Sequence, residues 1–252
     1  MPLALLPMYD WPEVRAETDA LWAAVRERLV AAGISAPAAL SRDGDVEAAW
    51  LSPDLVLGQT CGLPFVTRLK DRVALLGTPV YSLEGCPPGD YYSVLVVRAG
   101  EPAESLAELR DCCAAYNTVG SQSGYAALLA AVAPHAADGG FFAAMLGTGS
   151  HRGSIRAVAA GKATVAAIDA VSWGLALRHE AAARRLRVLD RTAPTPGLPL
   201  ITARARAGQA AAICAAVEAA VDRLDRPLRA ALLLEGFRRR QPAEYDVLAA
   251  AA

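Results

Sequence analysis

Two serine-rich turns are the segments of this sequence whose residue types and spacing could bind a charged ligand. The first, Asn117–Tyr125, lies between a predicted strand and a predicted helix. The first N–H groups of a helix lack partners within the helix and carry partial positive charge, so this turn can hold an anion. Ser121 and Ser123 add hydroxyl donors on either side of Gln122. Gly124 lets a ligand approach the backbone closely.

The second turn, Thr148–Ser154, also opens a predicted helix and places His151 in its first turn. Arg152 carries a planar fork suited to carboxylate or phosphate. Because successive helical residues point about 100° apart, the two side chains should not face one ligand, and we expect His151 to be the ligand residue. For both turns the alternative is plain helix capping, by Ser121 and Ser150, with no ligand.

Three further segments could line a binding cleft. Asp169 ends a predicted strand at its carboxyl end, where open α/β sheets bind ligands, although it is equally suited to cap the next helix. Gln59 and Thr60 follow another predicted strand. Cys61 lies beside them near a helix start, which could lower its pKa and make it a nucleophile. The alternative is a small lining residue, because no histidine is nearby in sequence.

The loop after the first predicted strand contains aromatic residues that could close over a small ligand. These are Tyr9 and Trp11, on either side of Asp10. Core packing of the rings and helix capping by Asp10 are equally good alternatives.

Composition and missing motifs exclude several functions. With 25 Lys+Arg against 26 Asp+Glu, the chain lacks the basic surface of a nucleic-acid binder. No stretch approaches the ~20 apolar residues of a membrane span. There is no phosphate-binding Walker motif, dinucleotide fingerprint or zinc-protease motif. The three histidines are scattered and the five cysteines lack CxxC spacing. We therefore expect no metal and no cofactor.

The elements that position these residues alternate between short apolar strands and amphipathic helices. This alternation predicts an α/β fold with mixed, mainly parallel sheets flanked by helices. Two extended Pro-rich passages, Cys86–Tyr92 and Arg191–Pro199, interrupt it. They predict two lobes joined by a pair of hinge strands. The first lobe is expected at residues 1–91 plus 204–252, and the second at residues 92–203.

Taken in order, several segments resemble the phosphate, phosphite and phosphonate substrate-binding proteins of ABC transporters, which have the type II periplasmic-binding-protein fold. The segments that carry the resemblance are Leu5–Val14, Gly58–Phe65, Gly89–Arg98, Asn117–Leu129, Thr148–Leu175 and Pro194–Ala203. The resemblance implies two α/β lobes that close around a small oxyanion in an interlobe cleft, with an ABC permease as partner.

The resemblance also implies roles for particular residues. The family's anion-binding turn corresponds to Ser121, Gln122 and Ser123, although the family has a small hydroxyl residue where Gln122 stands. Its histidine corresponds to His151 and its acidic residue to Asp169. The aromatic residues of its first lobe correspond to Tyr9 and Tyr81; the ligand is phosphonate-like, phosphate-like or a carboxylate.

The N-terminus leaves a second function open. Met1–Pro7 is apolar but short, lacks a basic region and is soon followed by Asp10, which is not the pattern of a signal peptide. The protein is thus expected to be periplasmic if a leader is missing, and cytoplasmic as written. The same fold includes cytosolic enzymes of menaquinone synthesis, such as chorismate dehydratase. In an enzyme of that kind, His151 or Asp169 would be the general acid or base and Cys61 a candidate nucleophile.

Overall fold

Two five-stranded sheets organise the chain, whose computed structural model describes residues 1–136 and 140–251, with side chains as far as residue 249. The strands are, in chain order, β1 (Leu3–Leu5), β2 (Leu55–Gln59), β3 (Val73–Tyr81), β4 (Asp90–Tyr91), β5 (Ser93–Arg98), β6 (Cys113–Tyr116), β7 (Ala144–Gly147), β8 (Val165–Asp169), β9 (Leu186–Arg191), β10 (Thr195–Pro196), β11 (Leu200–Ala203) and β12 (Leu234–Arg238). The α-helices are α1 (Arg15–Ala31), α2 (Val46–Trp50), α3 (Gly62–Pro64), α4 (Ala127–Val132), α5 (His151–Ala159), α6 (Ala170–His179), α7 (Ala210–Arg223) and α8 (Arg226–Leu232).

The chain divides into two units. The first comprises Met1–Asp90 and Pro196–Ala249, and the second comprises Tyr91–Thr195. The chain thus returns to the first unit before β11, whereas the sequence predicts the return after β11, at residues 203/204. The reason is that β11 pairs with β2 and β3 of the first sheet. Residues 137–139, within the predicted second lobe, and residue 252 lie outside the described residues.

In the first unit the sheet order is β1-β2-β11-β3-β12. β1 runs parallel to β2, whereas β11 is antiparallel to both of its neighbours and β12 is antiparallel to β3. The apolar side of α1 buries Trp22, Val25 and Leu29, and this helix packs against α7. A second group of buried side chains, including Phe65 and Tyr245, fills the space around β2 and β11.

In the second unit the sheet order is β7-β6-β8-β5-β9. β6 runs parallel to β7 and β8, and β5 is antiparallel to β8 and β9. β5 and β8 are almost entirely buried, as their runs of Val, Leu, Ile and Ala predict. The carboxyl ends of β6 and β8 therefore lie side by side, and each leads into a helix.

The α/β class and the mixed sheets predicted from the sequence are confirmed, with one correction. The sheets are not mainly parallel, because β5, β9, β11 and β12 each run antiparallel to a neighbour. The chain leaves the helical conformation after Leu232 and forms β12. Leu233 has a left-handed backbone, φ 54°, which ends α8, and the following residues pair with β3.

In the part of the chain that the structure describes, no helix is long and apolar enough to span a bilayer.

Candidate ligand-binding site

Ser123 and His151, from the two serine-rich turns, meet in the second unit. The Oγ of Ser123 lies 3.0 Å from Nε2 of His151, although the residues are 28 positions apart. They meet because β6 and β8 are adjacent parallel strands and the segments after β6 and before β8 pack on the same sheet. The structure thus brings together two residues that the sequence singled out separately.

The first turn is built as a capped helix start. Residues Gln122–Ala126 form a π-helical turn that continues into α4, and Ser121 caps it by accepting a 3.0 Å hydrogen bond from the Gly124 N–H. Ser123 is buried, with only 4% of the residue exposed. Ser93 on β5 donates a 2.9 Å hydrogen bond to the Ser123 carbonyl oxygen, which fixes the turn to the sheet.

Gly124 is required by close packing. A Cβ at this position would lie 2.2 Å from Oδ1 of Asn117 and 3.1 Å from Cε1 of His151. Both distances are shorter than ordinary van der Waals contact. The sequence predicts that Gly124 lets a ligand approach the backbone. In the structure Gly124 also makes room for the Asn117 and His151 side chains, which occupy the space beside it.

The second turn caps α5. Ser150 accepts a 3.0 Å hydrogen bond from the Gly153 N–H, and Thr148 is 2.7 Å from the Ser154 hydroxyl. Arg152 points elsewhere, with its Nε 2.7 Å from the carboxylate of Glu180. The divergence expected for neighbouring helical residues is therefore present, with His151 directed to Ser123 and Arg152 to Glu180.

His151 is held neutral by its surroundings. Burial lowers the pKa of its imidazole to about 4, and the backbone of Ala167 on β8 opposes this only in part. The residue as a whole is partly exposed, but its Nδ1 atom is shielded from solvent and makes no hydrogen bond of good geometry. At neutral pH the site thus holds a neutral imidazole whose Nε2 faces a serine hydroxyl.

Asp169 caps α6. Its Oδ1 accepts hydrogen bonds from the N–H groups of Val171, at 2.8 Å, and Ser172, at 3.0 Å, and the residue is 2% exposed. The capping alternative considered for this residue is therefore realised, and a role in binding stays a prediction.

The first unit contains the other predicted ligand residues. Tyr9 and Tyr81 pack edge to face with ring centroids 5.1 Å apart, and Gln59 donates a 3.3 Å hydrogen bond to the Tyr81 hydroxyl. These three residues line a largely apolar cavity of about 60 Å³ together with side chains of α1 and α7. Trp11 lies two positions after Tyr9 and immediately precedes the short helix Pro12–Val14.

Asp10 is held by two arginine side chains. Arg42 donates hydrogen bonds of 2.6 Å and 3.1 Å to its two carboxylate oxygens, and Arg15 lies 3.9 Å away. The Asp10 side chain is only 10% exposed. It lines a separate polar cavity of about 210 Å³. Tyr9 and Asp10 therefore line different cavities.

Thr60 and Cys61 occupy ordinary structural positions. Thr60 is fully buried, and its hydroxyl lies 3.4 Å from the Cys61 carbonyl oxygen. Cys61 precedes α3 without a side-chain cap bond. All three histidines, including His151, lie in the second unit, whereas Cys61 lies in the first. Neither unit alone therefore holds a cysteine–histidine pair that includes Cys61.

Sequence reasoning missed three residues that shape these groups. Ser93 holds the Ser123 carbonyl, Asn117 fills the space beside Gly124, and Arg42 neutralises Asp10. Asn117 belongs to the Ser/Gly turn and could have been included on that ground. Ser93 and Arg42 act across 30 and 32 positions, and no local pattern marks them.

Among the residues that the structure describes, no group of three or more His, Cys, Asp or Glu side chains is placed to hold an ion.

Comparisons with known proteins place the chain in a family. The family model for the ABC transporter, phosphonate, periplasmic substrate-binding protein matches residues 3–245. No curated protein sequence matches.

Solved structures share the fold at low identity. The binding component of an ABC phosphonate transporter from Pseudomonas aeruginosa is 14% identical, with a TM-score of 0.76 over 99% of this chain and 85% of that one. PhnD1 from Prochlorococcus marinus, in complex with methylphosphonate, is 15% identical, with a TM-score of 0.74 over 99% and 96%. A protein from Xanthomonas citri bound to ATP is 19% identical, with a TM-score of 0.72 over 99% and 96%. These similarities confirm the type II periplasmic-binding-protein fold.

The family match spans nearly the whole chain and confirms the resemblance drawn from the ordered segments. It favours a binding protein over the enzyme alternative, because the family captures substrates for transport. The chain belongs to the family of periplasmic substrate-binding proteins of phosphonate ABC transporters.

Proposed function

We propose that the protein captures a small oxyanion at the Ser121–Gly124 turn of its second unit, with His151 as a ligand residue. The ligand class is phosphonate-like or phosphate-like, with carboxylates as the other candidates. The observation that carries the proposal is the 3.0 Å approach of the Ser123 hydroxyl to the His151 ring beside a helix start.

The chemistry of the turn supports an anion. A helix start carries partial positive charge, and hydroxyl groups beside it add short hydrogen bonds. Ser121 uses its oxygen to accept from the Gly124 N–H, which leaves its hydroxyl proton available as a donor. The family supports the same class, since PhnD1 of Prochlorococcus marinus was solved with methylphosphonate.

We further infer that the loaded protein delivers its ligand to the permease of an ABC transporter and acts outside the cytoplasm. Family membership supports this role. The aromatic group of the first unit, Tyr9 and Tyr81 with Gln59, remains a predicted second set of ligand residues.

Thermal unfolding against a panel of anions tests the proposal. The panel contains phosphate, phosphite, methylphosphonate, sulfate, and mono- and dicarboxylates. A ligand at a hundred times its Kd should stabilise the native state by about 2.7 kcal/mol. For a chain of this size, that raises Tm by roughly 5–10 °C.

Variants of the turn locate the site. Ser123→Ala and His151→Ala should each reduce the ligand-induced rise in Tm, because each removes one member of the pair. Ser105→Ala, an exposed serine of the same unit bonded to Glu108, is the matched control and should behave as the wild type. An undiminished rise in both turn variants would contradict this assignment of the site.

A further inference from the structure

The cavity of about 60 Å³ in the first unit is lined mostly by apolar side chains. Val25 of α1 and Val217 of α7 belong to its helical walls, and Leu57 of β2 belongs to its sheet wall. All three residues are buried. Protein interiors are close-packed and contain few voids larger than a water molecule. This apolar cavity therefore exceeds the ordinary gaps of a core and can receive a ligand.

The polar side chains along the apolar cavity bond mainly within the protein. Thr18 donates a 3.1 Å hydrogen bond to the Val14 carbonyl oxygen, and Gln59 donates a 3.3 Å hydrogen bond to the Tyr81 hydroxyl. Among the described residues that line the cavity, none has a charged side chain. An ordered water needs about three polar partners, and a buried charge needs an opposite one. The cavity therefore favours an uncharged, apolar group.

Tyr9 and Tyr81 are partly exposed members of the cavity lining. Their rings pack edge to face with centroids 5.1 Å apart. Behind them in burial come Gln59 and then the aliphatic walls, which are shielded from solvent. Tyrosine has an apolar ring and a polar hydroxyl, and it is suited to the entrance of an apolar site that opens to water. The lining thus combines a partly exposed aromatic pair with a buried apolar interior, as small-molecule sites do.

The volume of the cavity limits the size of the group that it can take. The share of one water molecule in the liquid is ~30 Å³, so the cavity has room for about two groups of that size. Pockets for whole drug-sized ligands are several times larger. We propose that the apolar cavity of the first unit binds a short alkyl group of about two or three carbon atoms. The inference goes beyond the proposed function, because all the residues that carry it belong to the first unit.

The alkyl group can come from two sources, which two measurements distinguish. It is either the substituent of a captured phosphonate or a separate small apolar molecule. Isothermal titration of the intact protein with methyl-, ethyl-, propyl- and butylphosphonate tests the first source. Each methylene group removed from water should lower the Kd about fourfold until the cavity is full. Saturation-transfer NMR with 1-propanol, which has the alkyl group without the phosphonate, tests the second source.

Substitutions at one wall position change the size of the cavity in both directions. Val25→Leu adds a methylene group to the wall, so the chain length at which the Kd stops falling should become shorter, and saturation transfer to 1-propanol should decrease. Val25→Ala removes two methyl groups and should extend the limit to a longer chain. Val30 is exposed on the same helix, so Val30→Leu and Val30→Ala are the matched controls and should behave as the wild type.

A second wall position keeps the test independent of the folding of one variant. Val217→Leu, on α7, adds the same methylene group as Val25→Leu from a different helix. It should shorten the limiting chain length and reduce saturation transfer to 1-propanol in the same way. Thermal unfolding of each variant without ligand shows that it is folded before binding is compared.

The outcomes decide both the inference and the source of the alkyl group. A Kd that falls with chain length, to a limit that the Val25 variants shift, supports the cavity and identifies the phosphonate substituent. A Kd independent of chain length, with saturation transfer to 1-propanol that Val25→Leu reduces, supports the cavity and identifies a separate molecule. Absence of both effects overturns the inference, as does a chain-length limit or a saturation transfer that the Val25 and Val217 variants leave unchanged.

Failure of the proposed function gives a different result. If none of the oxyanions binds, capture at the Ser121–Gly124 turn is wrong, while saturation transfer to 1-propanol still tests the cavity. If the oxyanions bind but neither the chain length nor 1-propanol has an effect, oxyanion capture stands and the apolar site is wrong.

Discussion

The hydroxyl of Ser93 donates a 2.9 Å hydrogen bond to the carbonyl oxygen of Ser123, and this bond links the first residue of β5 to the serine-rich turn. Both residues are buried, at 2% and 4% exposure. The bond fixes the backbone of the residue whose side chain meets His151. The position of the Ser123 hydroxyl therefore depends on the sheet as well as on its own helix.

Ser93→Ala should destabilise the protein by about 1–2 kcal/mol, because the buried Ser123 carbonyl loses a donor and water does not easily replace it. Urea unfolding measures the effect as a lower midpoint with an unchanged m-value. Ser105→Ala removes an exposed hydroxyl and should change the midpoint little. A midpoint for Ser93→Ala equal to that of the control would show that the bond contributes nothing to stability.

Gly124→Ala should weaken both folding and oxyanion binding. The added Cβ would lie 2.2 Å from Asn117 Oδ1, so the Asn117 side chain must move, and 3.1 Å from the His151 ring. We expect a loss of about 1–2 kcal/mol in the free energy of unfolding, typical of overpacking. Gly120→Ala is the matched control, because a Cβ there meets nothing within 4 Å.

A double variant tests the cause. If contact with Asn117 is the reason, then Asn117→Ala combined with Gly124→Ala should be more stable than the sum of the single changes predicts. Simple additivity in urea unfolding would instead attribute the cost of Gly124→Ala to another contact.

Local sequence patterns were enough to predict the two capped helix starts of the site. The contact between them depends on the tertiary fold. Ser121 and Ser150 both cap helices after strands, as the Ser/Gly turns predict. The contact of Ser123 with His151 depends on adjacent placement of β6 and β8, which no single segment specifies. Whether these residues bind a ligand stays a prediction.

Local sequence patterns do not predict elements that form only by pairing with a distant strand. β12 contains Gly236 and follows a short helix, so its local preference is weak, and it becomes a strand because β3 offers an open edge. Tertiary structure likewise places Tyr9 and Asp10 at different cavities, although they are neighbours in sequence. The charge on Asp10 is matched by Arg42, a residue in a loop 32 positions away.

The Asp10–Arg42 pair should stabilise the first unit more than an exposed pair of the same geometry. The Asp10 and Arg42 side chains are 10% and 25% exposed, and the hydrogen bond that Arg42 donates to Asp10 raises the pKa of Arg42 further above its usual range. A double-mutant cycle with Asp10→Ala and Arg42→Ala should give a coupling of about 1–2 kcal/mol. Arg68 and Glu47 form an exposed bidentate pair, and their cycle should give at most about 0.5 kcal/mol.

The same variants examine the role of Asp10 in binding. Because Arg42 occupies both carboxylate oxygens, Asp10→Ala should leave the affinity for methylphosphonate unchanged. A loss of affinity in this variant without loss of stability would restore Asp10 as a ligand residue. Equal coupling in the two cycles would contradict the effect assigned to burial.

His151 should make the protein sensitive to mild acid. Its folded-state pKa of about 4 lies below the ordinary value of 6.5, so between these values the unfolded state binds more protons than the native state. The contribution of His151 to the free energy of unfolding should therefore be fully present above pH 6.5, and it should be lost as the pH decreases toward about 4. The loss at about pH 5 should be about 1–2 kcal/mol, after allowance for the partial exposure of the residue.

His151→Gln isolates this contribution. Glutamine does not titrate, so the variant should lose much of the stability change between about pH 6.5 and 4.5 that urea unfolding shows for the wild type. Carboxylates with lowered pKa values, such as Glu180, lose their contribution only at lower pH and should do so in both proteins. His135→Gln, at an exposed histidine of the same unit, is the matched control for removal of one imidazole. If His151→Gln kept the full wild-type pH dependence in this window, the neutral buried imidazole assigned to the Ser123 contact would be wrong.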